Sequence, residues 1–263
     1  MNDSTILIVG GGRMGEALLG GLLAAGRETG ELVVSEVSQT RREELAAAYP
    51  GVAVVEEVVR APSAVLAVKP GDVPAAARAV ADAGARRVLS VAAGVTTQAI
   101  EAAAGRQLAV VRAMPNTPAL IGAGAAAISP GSAAGEHDLA WAEAVLGAVG
   151  VVVRVPEKAL DAVTGLSGSG PAYVFLVAEA MVEAGVLVGL PRDVAETLTF
   201  QTLLGSSRLL AEGSSGPSAL RAAVTSPGGT TAAGLRELER RGVRAAFLEA
   251  VNAAASRSRE LGQ

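Results

Sequence analysis

Three hydroxyl side chains surround a Pro-Gly-Gly turn in Val224-Thr225-Ser226-Pro227-Gly228-Gly229-Thr230-Thr231, directly before an amphipathic helical pattern. Glycine lets a backbone come close to a ligand, and the first N–H groups of a helix lack partners within it. Ser226, Thr230 and Thr231, with backbone donors at Gly228 and Gly229, therefore suit a small carboxylate that the helix dipole also favours. The bland reading is a Ser/Thr-capped turn between two helices, and the same atoms can serve as cap and site together.

A second Gly-rich segment, Gly10-Gly11-Gly12-Arg13-Met14-Gly15, follows the apolar run Thr5–Val9 and opens a helical pattern from Met14 to Ala25. It fits G-x-G-x-x-G: Gly10 for a tight turn, Gly12 for close approach to a pyrophosphate, Gly15 for helix–strand packing. A strand before it and a helix after it make it a dinucleotide site (Val9 to Gly15) rather than only a flexible turn. The next strand, Leu32-Val33-Val34-Ser35, ends at Glu36, an acid suited to the ribose hydroxyls of NAD(H); Arg41 and Arg42 nearby suit the 2′-phosphate of NADP(H). The reading leans to NADP(H), with NAD(H) as the alternative. Three further loops sit at carboxyl ends of predicted strands: Ala67-Val68-Lys69-Pro70, Ala92-Ala93-Gly94 within Val91–Thr96, and Arg112–Pro118, where two prolines bracket Asn116. The small residues of the second leave room for a nicotinamide ring.

The elements needed to place these loops alternate along the first half. Strands are expected at 5–9, 32–35, 52–55, 64–68, 87–91, 109–112 and 151–155, with a further apolar run at 123–128. Helices are expected at 14–25, 39–49, 74–83, 97–104 and 136–146. Such alternation predicts βαβ units on a parallel sheet. From Leu160 onward the periodicity is helical throughout. The fold class is therefore α/β: an N-terminal Rossmann dinucleotide-binding domain over 1–158, then an all-α domain over 159–263. The long helices of the second domain (172–188 and 194–211) are apolar over a wide arc, which suggests burial against another subunit.

Composition removes other chemistries. Cysteine is absent, and the single histidine, His137, lies in a polar helix start; thiol catalysis and zinc–thiolate sites are excluded, and no metal site suggests itself. Glu179 and Glu183 are one helical turn apart on an apolar helix and read as a solvated or interface face. A net charge of −4 argues against nucleic acid. Residues 139–153 are too short to span a membrane, while 171–190 carry two acids in their middle. No basic region precedes the first apolar run, so the expected address is cytoplasmic.

Taken in order, the Gly-rich loop, Ala-Val-Lys-Pro, Ala-Ala-Gly-Val-Thr, Met-Pro-Asn-Thr-Pro, Asp161–Tyr173 and Val224–Thr231 resemble pyrroline-5-carboxylate reductases over essentially the whole chain. The resemblance implies NAD(P)H-dependent reduction of the cyclic imine 1-pyrroline-5-carboxylate to L-proline, the last step of proline biosynthesis. It also implies a helical dimerisation domain, with dimers assembling further, commonly to decamers. Substrate contacts then fall on Glu157, Ser226, Thr230 and Thr231 with the backbone at Gly228 and Gly229, Thr231 and Ser226 nearest the chemistry. Cofactor contacts fall on Val9, Gly10, Gly11, Gly12, Arg13 and Met14, on Ala67, Val68, Lys69 and Pro70, and on Ala92, Ala93 and Gly94, beside Gly15, Ser35 and Glu36 from the motif. Some relatives carry an Asn before the Ala-Val-Lys-Pro loop, where this chain reads Val54-Val55-Glu56-Glu57.

Hydride transfer to a protonated imine needs positioning more than a strong acid, which agrees with the lack of usable His or Cys. A hydroxyacid dehydrogenase of the same plan needs a base such as Lys on the first helix of the second domain, and 172–183 contains none. A non-catalytic NAD(P)-binding regulator is the other alternative, and it has no need of the hydroxyl cluster.

Overall fold

The computed structural model describes residues 4–105 and 108–262. Eight strands form one sheet: β1 (Ile6–Val9), β2 (Leu32–Ser35), β3 (Ala53–Val55), β4 (Ser63–Leu66), β5 (Arg87–Ser90), β6 (Ala109–Met114), β7 (Gly124–Pro130) and β8 (Gly150–Arg154), in the spatial order 3-2-1-4-5-6-7-8. The strands β1 to β6 are parallel, whereas β7 pairs antiparallel with β6 and β8 parallel with β7. The expectation of a wholly parallel sheet thus fails at one edge. A parallel crossover needs a helix-length connection, and only a 3-10 turn, Thr117–Ile121, joins β6 to β7.

The central strands β1, β2 and β4 are buried on both faces, so their side chains divide between two cores. Ile6 and Ile8 pack with Leu18, Leu19 and Leu22 of α1 (Arg13–Ala24), Leu45 of α2 (Gln39–Ala48) and Val145 of α5 (Glu136–Gly147). Leu7 and Val9 face the opposite way, onto Val73 and Val80 of α3 (Val73–Asp82) and Ile100 of α4 (Thr97–Ala104). Ser38 caps α2 by accepting from the Arg41 N–H, and Thr96 caps α4 by accepting from the Ala99 N–H. Strand β4 stops at Leu66 rather than running to 68, which leaves Ala67–Pro70 entirely as loop.

Two compact units emerge, one of residues 1–169 with 252–263, the other Gly170–Val251. The first continues past the expected join at 158/159 because Glu157 and Leu160 are tied into it. A short α6 (Leu160–Val163) and a π-helical turn (Thr164–Gly168) lead out of it. The second unit holds α7 (Gly170–Leu187), α8 (Arg192–Glu212), α9 (Pro217–Ala223) and α10 (Thr230–Arg240), with the first half of α11 (Val243–Leu261). Its buried residues are few and small, Ala178, Val182, Ala195 and Thr199, while Phe175, Leu176, Leu187, Phe200 and Leu209 are each more than half exposed on the single chain.

A Cβ on Gly15 would overlap the carbonyl oxygen of Gly10. Gly15→Ala must therefore push α1 off β1, and a loss of about 1–3 kcal/mol is expected. Urea unfolding reads it directly: the midpoint falls, and an unchanged midpoint would mean that the helix and strand do not depend on this close approach.

Candidate active site

The strand order reverses between β1 and β4, and ligands of open α/β sheets bind beyond the carboxyl ends of strands at such a point. Gly10 has φ +99°, and a Cβ there would lie 2.6 Å from the Ala67 carbonyl oxygen, so the first two loops are pressed together. Their backbones are laced as well, Gly10 N–H to Ser35 O at 2.8 Å and Ala67 N–H to Val9 O at 2.8 Å. Gly12 is the N-cap of α1 without a side-chain cap, and a Cβ there would meet nothing within 4 Å. The first N–H groups of α1 thus open onto empty space, which fits a pyrophosphate. Arg13 is exposed beside them; Met14 packs partly against the core, and the Val9 side chain is buried in the opposite core.

Gly11 differs from expectation. It is buried, its N–H donates to Glu36 Oε2 at 2.8 Å and its carbonyl accepts from Arg41 Nε at 2.7 Å. Both backbone groups are therefore occupied within the protein. Ser35 is also turned inward, its hydroxyl donating to the Glu56 carbonyl at 3.3 Å. Glu36 follows the carboxyl end of β2, its second oxygen accepting from the Ser38 N–H at 2.9 Å. Arg41 is committed to Glu44 and Glu16, which together raise its pKa. Arg42 donates to the carbonyls of Glu36 and Val37 and to the exposed Glu56 at 3.2 Å, so both guanidiniums are engaged within the protein.

Beyond β4, Lys69 is exposed and its side chain makes no hydrogen bond or ion pair among the described residues, while its carbonyl accepts from the Asp72 N–H at 2.9 Å and Pro70 starts a 3-10 turn. Beyond β5, Ala92 is buried, Ala93 exposed, and Gly94 holds φ +79°. Asn116 is not free for a ligand: its amide donates to the Ser167 carbonyl at 3.1 Å and its oxygen accepts from the Ala125 N–H at 2.8 Å.

Glu157 sits on a 3-10 turn (Glu157–Ala159), its carboxylate accepting from the Thr97 N–H and hydroxyl, both at 2.7 Å, and from Arg112 at 3.1 Å. The expected substrate contact is instead a bracket between α4 and β6. The sequence pattern does not single out Thr97 or Arg112, although a charge inside the apolar run Ala109-Val110-Val111-Arg112-Ala113 is a signal, because a buried cation demands a partner.

In the helical unit, Gly229, not a hydroxyl residue, is the N-cap of α10, and no side chain caps it. The expected dual role as cap and site is corrected: Ser226, Thr230 and Thr231 donate no side-chain hydrogen bond to the described residues, while Thr225 bonds the Arg221 carbonyl at 2.6 Å. Gly228 holds φ +72°, and a Cβ on Gly229 would overlap Ser226 Oγ. Glycines thus fold the turn onto Ser226 and leave three hydroxyls and the first N–H groups of α10 open.

Residues 157–261 match the family model for pyrroline-5-carboxylate reductase dimerisation, and residues 5–94 match that for NADP oxidoreductase, coenzyme F420-dependent. A pyrroline-5-carboxylate reductase of Mycobacterium tuberculosis is 47% identical, covering 97% of this chain and 96% of the relative. That of Synechocystis is 45% identical over 97% of each. Among solved structures, the pyrroline-5-carboxylate reductase of Coxiella burnetii matches with TM-score 0.93 and 36% identity over 100% of both chains. The Plasmodium falciparum pyrroline carboxylate reductase with NADP bound matches with TM-score 0.86 and 27% identity over 98% of both. The chain belongs to the pyrroline-5-carboxylate reductase family.

Within that family assignment the long apolar helix has a ready account. Glu157–Leu187 is long and apolar enough to cross a membrane by length and composition, yet it lies wholly in the match for pyrroline-5-carboxylate reductase dimerisation. Burial works to raise the Glu157 carboxyl, but Thr97 and Arg112 outweigh it and hold it below the usual carboxylate range. A depressed folded pKa contributes stability above the unfolded value and loses it as pH falls through the folded one. Glu157→Gln is therefore expected to lower the urea midpoint near neutrality. The gap to the parent should narrow below about pH 4, and a gap independent of pH would overturn the bracket.

Proposed function

We propose that the chain reduces the cyclic imine of 1-pyrroline-5-carboxylate to L-proline, the final step of proline biosynthesis, with NADPH as the carrier and NADH as its competitor. The observation that carries this reading is the Ser226–Thr231 turn. Hydroxyls and helix N–H groups lie there without protein partners, in a family member whose other unit holds a dinucleotide cradle. The bound nicotinamide supplies the hydride. Gly10, Gly12, Gly15 and the N-terminus of α1 hold its pyrophosphate, Glu36 and Arg42 its adenosine ribose, and Ala67–Pro70 and Ala92–Gly94 border its path.

Ser226, Thr230, the Gly228 N–H and the first N–H groups of α10 bind the substrate carboxylate, the Gly229 N–H being donated to the Ser226 carbonyl at 3.1 Å. The substrate nitrogen enters protonated. As hydride adds to the imine carbon, the carbon–nitrogen π pair becomes the nitrogen's lone pair, and the Thr231 hydroxyl bonds the new amine. No catalytic His or Cys is called for; orientation does the work. Glu157 acts through the protein, by holding α4.

Function divides near 158/159, with nucleotide binding before it and dimerisation with substrate binding after it. The apolar faces of α7 and α8 support a homodimer that assembles further, to a decamer in the fullest form. The enzyme works in the cytoplasm, away from nucleic acid and membrane, on a small imino acid.

Two expected outcomes test this. Parallel spectrophotometric assays with NADPH and NADH show turnover of pyrroline-5-carboxylate by the parent. Thr231→Ala lowers kcat by about tenfold to a hundredfold, as losing a charge-assisted hydrogen bond implies, and leaves the nucleotide Kd nearly unchanged. Unchanged turnover removes Thr231 from the chemistry, and a parent without turnover favours a nucleotide-binding regulator. For assembly, Phe200→Asp puts a charge on an exposed apolar face that a dimer would bury. Light scattering should report a monomer, and retention of the parent's mass would place the interface elsewhere.

A further inference from the structure

In the loop Val91–Thr96, Val91, Ala92 and Val95 pack into the cores, whereas Ala93 is exposed and Gly94 has no side chain, so this tip of the loop is held from its surroundings. At the loop's far end Glu157 grips Thr97, the first residue of α4, through two hydrogen bonds of 2.7 Å. One helical turn past Glu157, Asp161 Oδ1 accepts from the Ser258 hydroxyl at 2.7 Å, and Ser258 is buried in the last turns of α11. From that anchor the chain runs over Gly94. A Cβ on Gly262 would lie 2.9 Å from the Gly94 carbonyl oxygen, and a Cβ on Gly94 would lie 3.6 Å from the Leu261 carbonyl oxygen. Between these points is a cavity of about 210 Å³ lined by Gly94, Thr96, Arg112, Asp161, Arg259 and Gly262. With space beside it, the Ala93–Gly94 tip takes its position from the rims as well as from the packed residues: Glu157 at one rim, the turn at Leu261–Gly262 at the other.

We propose that the C-terminal turn, locked by the Ser258–Asp161 hydrogen bond, is a positioning element for the Ala92–Gly94 loop and through it for the reactive end of the dinucleotide. The inference rests on the reading of that loop as a cofactor loop. Neither Ser258 nor Gly262 touches substrate or cofactor. Glu157 and Asp161, four residues apart on one short helical stretch, couple the two rims, so the turn and α4 are set by the same backbone. A shift of the loop by a fraction of an ångström misplaces the hydride donor without loosening the imino acid, and catalysis is sensitive to displacements of that size.

Gly262→Ala is the direct test, because it removes no contact and lies at an exposed chain end while forcing a methyl toward the Gly94 carbonyl. The expected result is a fall in kcat of about tenfold, with KM for pyrroline-5-carboxylate and the unfolding midpoint unchanged. The primary isotope effect from deuterated NADPH should rise as hydride transfer becomes limiting. Ser258→Ala should act in the same direction and Ser258→Thr, which keeps the hydroxyl, should recover most of the loss. Unaltered kcat and isotope effect in both Gly262→Ala and Ser258→Ala overturn the proposal, as does a loss that follows the unfolding midpoint. A parent without turnover sinks the reductase reading instead. The positioning role is then judged by amide exchange over Val91–Thr97, which Gly262→Ala accelerates if the role stands and leaves unchanged if it does not.

Discussion

One carboxylate, that of Glu157, joins parts of the chain that are far apart in sequence. It receives the N–H and hydroxyl of Thr97 and the guanidinium of Arg112, at separations of 60 and 45 residues. Arg112 is almost fully buried on β6, and a cation there without an anion would be strongly destabilising. Removing Glu157 therefore does more than delete an ion pair. It strands a charge in the sheet, frees the start of α4, and unpins the short helical stretch that also carries Asp161. The loop Val91–Thr96 lies between these anchors, so electrostatics at its ends add to the packing of Val91, Ala92 and Val95. Gly10 and Gly15 do the corresponding work at the first loop by letting backbones approach.

Much of this was legible in the residues. The apolar runs and their short spacing read out β1, β2 and the helices to within a residue or two, because each strand is buried on both faces and admits little but Val, Ile, Leu and Ala. The dinucleotide cradle followed from three glycines in the right context. The direction of β7 was not legible, since Ala123–Ile128 has the composition of a strand whichever way it runs. What decides it is the length of the connection from β6.

Polar side chains were harder to read than backbone. Glu36 was found as an acid at a strand end, but its bond to the Gly11 N–H closes off a group that the motif alone leaves open. Ser35, next to it, points the other way because successive strand residues alternate. Glu157 was found and given the wrong contact, since its partners Thr97 and Arg112 come from other elements and no local spacing announces them. The hydroxyl turn was read incorrectly as a side-chain cap. Gly229 occupies the cap position, and that choice keeps Ser226, Thr230 and Thr231 unencumbered.

The return of residues 252–263 to the sheet-bearing unit also governs when that unit can be completed. Gly170–Val251 is inserted between two parts of one body, so the chain crosses from unit to unit twice. During synthesis, β1 to β8 can form long before the end of α11 has been made, yet Asp161 must wait for Ser258 and Gly94 for Gly262. A nascent chain stalled inside α11 has a complete sheet and an unfinished cofactor loop. The contacts of Ser258 and Gly262 therefore follow the synthesis of the whole inserted unit.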